Sequence, residues 1–368
     1  MKKRVAVLFG GQSGEHEVSL VSGYAVMAAL DPRRYEVLPV GITRAGRWLA
    51  GPGAHAALVV AADPARLPTS FLPVPNAADE GTSASAIQRE FSLLNADGAL
   101  DLVFPVLHGP MGEDGTVQGL LELAGLPYVG CGVAASAVGM DKALMKAAFA
   151  AAGLPLLPWL LVRRAELEAD SEAVCARVEA ILHYPVFVKP ANMGSSVGIS
   201  KAHDRAGLRL AFDEAAHYDR RIVVEQGITA REIEISVLGN EYPATSVPGE
   251  VVPSGEWYDY AAKYLDGASQ IIIPAPLDVG LAAQVADLAA RAFLAIDGAG
   301  LARVDFLLDK VTGELWLNEI NTLPGFTPIS MYAKMWAASG LTYAALLDQL
   351  VELALERHQT KVGGALAR

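Results

Sequence analysis

Four polar side chains near the C-terminal end of the chain include two acids and an amide with the types and the spacing of a divalent-cation site. They are Arg303, Asp305, Glu319 and Asn321. They lie on two predicted strands, 303–308 and 315–320, which are joined by a short turn. If Asp309 at the turn lies opposite Leu315, antiparallel pairing places Asp305 opposite Glu319 and Arg303 opposite Asn321.

These residues also share one face of the predicted hairpin, because side chains alternate along a strand and all four numbers are odd. Two facing carboxylates repel each other unless a cation lies between them. Carboxylate and amide oxygens suit Mg²⁺, which also binds phosphate oxygens. The alternative interpretation is a polar face in solvent. The metal site is favoured by an apolar opposite face, formed by Val304, Phe306, Leu308 and Trp316.

A glycine-rich loop at 191–198 could bind phosphate groups. It follows a predicted strand at 185–189, and its backbone N–H groups and the hydroxyls of Ser195 and Ser196 are suitable donors. On pattern alone, a flexible turn explains the loop equally well. The P-loop pattern is absent, as is the G-x-G-x-x-G fingerprint after the first strand. The chain is therefore not a P-loop protein, and NAD chemistry loses its main support.

Acidic residues and lysines lie at the ends of several predicted elements. Lys189 ends a buried strand and must reach solvent or an anion, whereas Lys142, at the start of a helix, is by itself an ordinary surface charge. Glu225 and Glu232 could accept hydrogen bonds from adenine or ribose, or could be exposed charges. The aromatic segment 248–270 is either a packed loop or a lid over a substrate.

The elements that must position these residues begin with a strand at 4–9, a glycine turn, a helix at 19–30 and a strand at 35–42. This order predicts a doubly wound α/β sheet, with Glu15 and His108 at the edge where ligands bind. Residues 43–98 are predicted to be an excursion of short elements and loop. The remaining predicted elements are strands at 100–107, 222–225 and 232–238 and helices at 116–124, 136–152, 284–294 and 341–356.

The composition limits the class of protein. The 368 residues carry 29 Lys+Arg and 41 Asp+Glu, a net charge of −12, which argues against a nucleic-acid partner. With 52% hydrophobic residues, the chain can build cores for two or three domains. No apolar run approaches the roughly 18 residues of a membrane span. The two cysteines, Cys131 and Cys175, are far apart in the sequence, so we expect no disulfide framework. We expect a cytoplasmic protein without a membrane partner.

Seven segments together resemble the D-alanine–D-alanine ligases, a family of ATP-grasp enzymes. They are GGQSGEHEVS at 10–19, HGPMGEDG at 108–115, MDK at 140–142, VKPANMGSSVG at 188–198, WYDYAAKY at 257–264, RVDF at 303–306 and NEINTLPG at 318–325. Each segment alone is only suggestive, but their order and spacing are jointly specific. The resemblance covers residues 4–356 and is weakest at 43–98.

The resemblance implies an α/β fold, with α+β character in the ATP-grasp part. An N-terminal doubly wound domain would occupy 1–137 and contain the variable excursion 43–98. A small ATP-grasp subdomain would occupy 138–222. A large one would occupy 223–368 and carry the lid 248–270. The family also implies a homodimer, ATP and D-alanine as small-molecule substrates, and a place in peptidoglycan precursor synthesis.

The resemblance further implies roles for individual residues. Those expected to hold ATP are Lys142, Lys189, Ser195, Ser196, Glu225, Gln226, Glu232, Lys263, Phe306, Asn318 and Glu319. Those expected to bind two Mg²⁺ or Mn²⁺ ions are Asp305, Glu319 and Asn321. Those expected to bind D-alanine are Glu15, Val18, His108, Lys263, Tyr264, Ser330 and Met331. One departure is visible, because some relatives have a lysine at the position of Gln226.

The catalytic residues implied by the resemblance act in two groups. Glu15, Ser195 and Tyr264 would form a hydrogen-bonded triad that fixes the lid, and Arg303 with the backbone N–H of Gly325 would form an oxyanion hole. The implied reaction makes D-alanyl phosphate, which the amine of a second D-alanine attacks. Tyr264 favours an amino acid over a hydroxy acid as second substrate. The alternatives are a D-alanine–D-lactate ligase, another ATP-grasp carboxylate–amine ligase, or a nucleotide sensor without turnover.

Overall fold

The computed structural model describes residues 2–51, 53–61, 100–194, 196–252 and 270–363. Within these residues the strands form three sheets. Ser195, Lys263 and Tyr264 lie outside the described residues, as do most of the predicted lid and of the excursion 43–98. None of the helices in the described part of the chain combines the length and the apolar character needed to cross a membrane.

The N-terminal sheet carries the predicted doubly wound start. Its strands are β1 (Lys3–Gly10), β2 (Tyr35–Ile42), β3 (Trp48–Ala50) and β4 (Leu102–Pro105), and its helices are α1 (His16–Ala29), α2 (Ala54–Ala61) and α3 (Thr116–Leu123). The strand order is β3-β2-β1-β4, and β1 is parallel to both of its neighbours. Because β1 is buried from Val5 onward, its residues are continuously apolar rather than alternating. The strand β2 has the predicted bounds.

Two elements of this region differ from their predicted bounds. The helix α1 begins at His16, three residues before the predicted start, because Glu15 precedes it and none of the usual capping residues marks the position. The strand β4 is shorter than predicted and ends at Pro105, which has no N–H to donate to a ladder.

The single helix predicted at 136–152 is wrong. Two helices occupy this segment, α4 (Val133–Met140) and α5 (Lys142–Ala151). Between them Asp141 is extended, with φ −92° and ψ 105°, and its side chain accepts hydrogen bonds from the N–H groups of Ala143 and Leu144 at 3.0 and 2.9 Å. Aspartate is a preferred N-cap residue, so the break was present in the sequence as a capping signal inside an otherwise helical pattern.

The middle sheet is antiparallel. It contains β5 (Trp159–Arg163), β6 (Val186–Pro190), β7 (Ser200–Ala202) and β8 (Arg221–Gln226), with helices α6 (Arg164–Glu179) and α7 (Arg205–Tyr218). The order is β5-β8-β6-β7. The domain boundary expected between residues 222 and 223 falls inside β8, whose whole length pairs within this sheet. A division after Gln226 follows the strand pairing better.

The third sheet is the largest part of the described C-terminal region. Its strands are β9 (Ala230–Gly239), β10 (Ala244–Thr245), β11 (Gly249–Val252), β12 (Gln270–Ile272), β13 (Gly300–Asp309) and β14 (Leu315–Asn321), and its helices are α8 (Val279–Ala295), α9 (Met331–Ala338) and α10 (Tyr343–Gly363). The order is β12-β11-β9-β13-β14, with β10 beside β9. The helix α10 packs onto the core of the first sheet, where Leu346 and Leu350 belong to the same hydrophobic cluster as Val5 and Val7.

The hairpin of β13 and β14 has the predicted partners but not the predicted register at its turn. Asp305 lies opposite Glu319 and Arg303 opposite Asn321, as expected. Leu315, however, pairs with Leu308 rather than Asp309, and a β-bulge between the two ends corrects the offset.

The bulge also changes which residues of β14 face the core. Leu315 and Leu317 point into it on one side of the bulge and Ile320 on the other. Trp316, expected on the apolar face with Val304, is only half-buried and does not belong to that core. The prediction for Trp316 was wrong because an irregularity of one residue inverts the alternation of side chains.

Candidate active site

The polar face of the β13–β14 hairpin gathers three acids around one arginine. Arg303 binds both carboxylate oxygens of Asp305, from Nε at 2.7 Å and from Nη2 at 2.6 Å, and its Nε lies 3.1 Å from Oε2 of Glu234 on β9. Asn321 donates from Nδ2 to Asp305 at 3.0 Å. Burial alone would lower the pKa of Arg303, but Asp305, Glu234 and Glu319 outweigh it and raise the pKa well above its usual value. The arginine is therefore permanently charged.

A second charged cluster lies between α5 and the middle sheet. Glu225 is 2% exposed, and its carboxylate accepts one hydrogen bond from Lys146 and another from Lys189, the latter at 2.6 Å. Burial would raise the pKa of Glu225, but the charges of the two lysines lower it to about 2. Burial opposes the charge of Lys189 as well, yet Glu225, Glu319 and Glu232 together raise its pKa. The charge of Lys189 therefore interacts both with the predicted nucleotide residues Glu225 and Glu232 and with Glu319 of the hairpin.

Lys146 was not among the residues predicted to act. Its side chain is 1% exposed, and burial lowers its pKa. The signal that could have found it is its spacing, since Lys142 and Lys146 are four residues apart and such residues lie on one face of a helix. A lysine in the apolar helix α5 needs an anionic partner, and that partner is 79 residues away in the sequence.

The glycine-rich loop is attached to the start of α5. The backbone N–H of Lys142 donates to the carbonyl of Ala191 at 2.8 Å, and its Nζ donates to the carbonyl of Met193 at 2.6 Å. Ser196 has φ 60°, in the left-handed region. The glycine-rich loop and the first turn of α5 are therefore adjacent and border the candidate site on the same side.

Glu15 lies where the first sheet meets this loop. A Cβ added at Gly109 would lie 2.8 Å from Oε2 of Glu15, and one added at Gly194 would lie 3.4 Å from the same atom. Glycine at both positions therefore leaves room for the carboxylate. Gly194, the residue that precedes Ser195 in the sequence, therefore lies beside the carboxylate of Glu15.

His108 is buried beside Glu15. Its Nδ1 lies 3.2 Å from the carbonyl of Leu323 and 3.6 Å from Oε1 of Glu113, and its Nε2 lies 3.0 Å from the hydroxyl of Ser22. Burial would lower the pKa of His108, but Glu113 outweighs burial and raises it. Burial raises the pKa of Glu113. Glu113, which sequence reasoning did not single out, therefore favours the protonated form of the histidine.

Comparison with known proteins covers both halves of the chain. The family model described as D-ala D-ala ligase N-terminus matches residues 4–131, and the one described as D-ala D-ala ligase C-terminus matches residues 148–352. The D-alanine–D-alanine ligase of Heliobacterium modesticaldum is 53% identical over 100% of this chain and 99% of that protein. The ligase of Ruminiclostridium cellulolyticum is 50% identical over 97% and 96% of the two chains. The chain belongs to the D-alanine–D-alanine ligase family.

Solved structures agree with this membership. The D-alanine-D-alanine ligase from Coxiella burnetii has a TM-score of 0.79 at 34% identity and covers 98% of this chain and 96% of its own. The VanG D-Ala:D-Ser ligase from Enterococcus faecalis has a TM-score of 0.80 at 33% identity, with 96% and 100% of the chains covered. The resemblance stated from the sequence and the α/β fold class are thereby confirmed.

The family residues predicted at the nucleotide site fall into different environments. Glu232 contributes to the electrostatic environment of Lys189, whereas Phe306 is 1% exposed within the core of the third sheet. Asn318 is half-buried beside the bulge. The side-chain amide of Gln226 forms hydrogen bonds with the backbone of His183. Its Oε1 accepts from the N–H of His183 at 2.9 Å, and its Nε2 donates to the carbonyl of the same residue at 2.8 Å. Gln226 therefore stabilises the neighbouring loop through its side chain.

The residues predicted for the second ligase subsite lie near the start of α9. A Cβ at Gly325 would be 3.5 Å from Oγ of Ser330, which also accepts a hydrogen bond from the N–H of Thr327 at 3.0 Å. Met331 is buried, and Val18 on α1 is half-buried. The structure thus brings Gly325 and Ser330 together.

Proposed function

We propose that the protein joins two D-alanine molecules to form D-alanyl-D-alanine, through D-alanyl phosphate, with release of ADP and phosphate. The product serves peptidoglycan precursor synthesis. One observation carries the proposal: the chain is similar over its full length to D-alanine–D-alanine ligases. The charged clusters around Arg303 and Glu225 support it, since a phosphoryl-transfer enzyme needs cations beside a carboxylate-lined metal site.

The cofactors of this proposal are ATP and two Mg²⁺ or Mn²⁺ ions. Among the described residues no group of three His, Cys, Asp or Glu side chains is already gathered as a metal site. The donor set still fits the ions, because Asp305 and Glu319 face each other and carboxylate and amide oxygens are suitable ligands. We infer that the ions would be held by Asp305, Glu319 and Asn321, with Asp305 exchanging a contact to Arg303 or Asn321 for a metal ion.

When bound, ATP would supply the phosphoryl group that activates a carboxylate, and the metal ions would neutralise charge on its phosphates. Lys142 and Lys189 would bind phosphate oxygens from two sides. Glu232 would bind the ribose and Glu225 the adenine. Ser196 would add a donor from the glycine-rich loop.

The amino acids would occupy the side of the site formed by the first sheet and α9. Glu15 would bind the ammonium group of the first D-alanine, and Ser330 the carboxylate of the second. Arg303 and the N–H of Gly325 would stabilise the tetrahedral oxyanion, and removal of one such donor typically costs about 3 kcal/mol of transition-state stabilisation. Exclusion of water, which protects an acyl phosphate, is assigned to the segment 248–270 by family resemblance alone. A homodimer and a cytoplasmic location are likewise proposed.

The decisive experiment measures phosphate release from Mg-ATP by the purified protein. D-alanine, L-alanine, D-lactate and D-serine are added singly and in pairs, and the products are identified by mass. We expect release with D-alanine alone and D-alanyl-D-alanine as product. Release that requires D-lactate or D-serine as a second substrate would assign the protein to another branch of ligases. Binding of ATP without turnover for any amino acid would instead indicate a nucleotide sensor.

A further inference from the structure

The helix α5 presents two lysines to the candidate nucleotide site, but only one of them can reach a ligand. Lys142, at the first turn, contacts the glycine-rich loop, while Lys146 lies one turn further along and is 1% exposed. The ammonium of Lys146 is held by Oε1 of Glu225, and that of Lys189 by Oε2 of the same carboxylate at 2.6 Å. Lys189 is 13% exposed and is the outer of the two partners.

We propose that Lys146 is a positioning residue for the nucleotide, which acts as the permanent counter-ion of Glu225. Lys189 is then free to move from Glu225 to the phosphates of ATP. The same movement opens Oε2 of Glu225 to the exocyclic amino group of adenine. This inference rests on the proposed function, because it assigns ATP to the site between α5 and β8.

The charge balance of the cluster supports this role. With both lysines present, Glu225 keeps one cation when Lys189 turns to the phosphates, so no carboxylate is left buried without a partner. Without Lys146, Lys189 and Glu225 form a closed pair, and separating them would strand a buried charge at a large energetic cost. Lys189 would then stay on Glu225, and both the phosphate contact and the adenine contact would be lost.

Lys146 itself cannot replace Lys189 on the phosphates. Its side chain is almost completely covered, and its ammonium is already bound beneath the carboxylate. A simple structural ion pair would affect stability and all substrates alike. The positioning role instead predicts an effect on the nucleotide alone, and in particular on the preference for adenine over guanine, whose carbonyl oxygen cannot donate to Glu225.

The test compares Lys146→Met and Lys146→Arg with Lys361→Met. The control removes a lysine that also pairs with a glutamate, Glu122 at 2.6 Å, but on the exposed surface of α10. We expect K146M to raise the KM for ATP at least tenfold, to lower the ATP-over-GTP preference by a similar factor, and to leave the KM for D-alanine within twofold. K146R should recover most of the ATP affinity, and K361M should behave as the wild type.

Equal increases in the KM for ATP and for D-alanine, an unchanged nucleotide preference, or no recovery by K146R would overturn the proposal. If K146M does not fold, K146M/E225Q is compared with E225Q: because Lys146 acts only through the carboxylate of Glu225, the two variants should bind ATP equally well, and a further tenfold loss of affinity in the double variant would also overturn the proposal. Calorimetric binding of Mg-ATP separates the two levels of inference. A wild type that binds ATP but makes no dipeptide contradicts the proposed function, while the binding data still test Lys146.

Discussion

Replacement of Arg303 by methionine should destabilise the metal-free protein and be partly corrected by Mg²⁺. The side chain of Arg303 is 17% exposed and lies among Asp305, Glu234 and Glu319. Methionine keeps most of the length of the side chain but removes its charge and its hydrogen bonds. The three carboxylates then lose the cation that neutralises them and repel one another.

The expected loss is large. Breaking a buried ion pair by removing one partner costs about 3–5 kcal/mol, a substantial part of a typical stability of about 5–15 kcal/mol. A divalent cation between Asp305 and Glu319 would replace the missing charge. At a concentration about 100 times its dissociation constant, binding to the folded state alone would restore about 2.7 kcal/mol. If Arg303 also stabilises the oxyanion, kcat should fall about 10²–10³-fold.

The matched control is Arg231→Met on β9. Arg231 makes the same two-pronged contact with Glu250, at 2.8 and 2.7 Å, but is aligned with Leu308 rather than with the predicted metal ligands. It lies five residues along the strand from Ser236, the partner of Arg303, or roughly 16 Å away. Its loss should lower stability, Mg²⁺ should stabilise this variant no more than it stabilises the wild type, and kcat should not fall comparably.

The assay is thermal unfolding of both variants with and without Mg²⁺, together with steady-state kinetics. The reasoning is refuted if Mg²⁺ stabilises R303M no more than R231M, because a cation would then not replace the missing charge of Arg303. It is equally refuted if kcat of R303M falls by less than about tenfold, since an oxyanion donor is worth more than that.

Three further predictions concern other parts of the site. Gly109→Ala combines a residue at φ 78° with a Cβ 2.8 Å from Oε2 of Glu15, so we expect a higher KM for D-alanine in steady-state kinetics and an unchanged KM for ATP. The pKa of Glu225 is lowered from 4.5 to about 2, so its charged form contributes about 3 kcal/mol to stability. This contribution is present above about pH 4.5 and is lost as the pH falls toward 2. The stability of Glu225→Gln, measured by acid unfolding, should therefore depend less steeply on pH in that window. Asp141→Ala removes the N-cap of α5, which alone costs about 1 kcal/mol, and also breaks the ion pair with Arg221. Denaturant unfolding should therefore show a loss greater than the cap alone explains, and displacement of Lys142 should raise the KM for ATP.

The hairpin was the part of the site that the sequence predicted best, although the predicted register at its turn was wrong. The pairing of Asp305 with Glu319 followed from a premise about the turn that the structure contradicts, since Leu315 lies opposite Leu308. The bulge adds one residue on β14 and compensates. Spacing along the sequence determines which residues pair in a hairpin. A bulge, however, depends on packing against the rest of the sheet, so it cannot be predicted reliably from the alternation of polar and apolar residues.

The contact between Lys146 and Glu225 could not be predicted from local spacing, because it joins the helix α5 to the strand β8, 79 residues away in the sequence. Its two halves were nevertheless visible as a lysine inside an apolar helix and an acid at the end of an apolar strand. Each needed a buried partner of opposite charge. The sequence therefore shows that Lys146 needs an acidic partner, but it does not show which acid that is, since Glu232 also lies at one end of an apolar strand.

The break at Asp141 determines how that pairing is achieved. Because Asp141 caps α5 and also forms an ion pair with Arg221 on β8, it fixes the start of the helix against the strand that carries Glu225. Arg221 and Glu225 are four residues apart on β8, so their side chains lie on the same face of the strand. Lys146 follows Asp141 along α5, and its partner Glu225 follows Arg221 along β8. The helix and the strand therefore run in the same direction past the two ion pairs. An uninterrupted helix over 136–152 would have kept the two lysines on one face but would have lost the cap that sets their distance from β8.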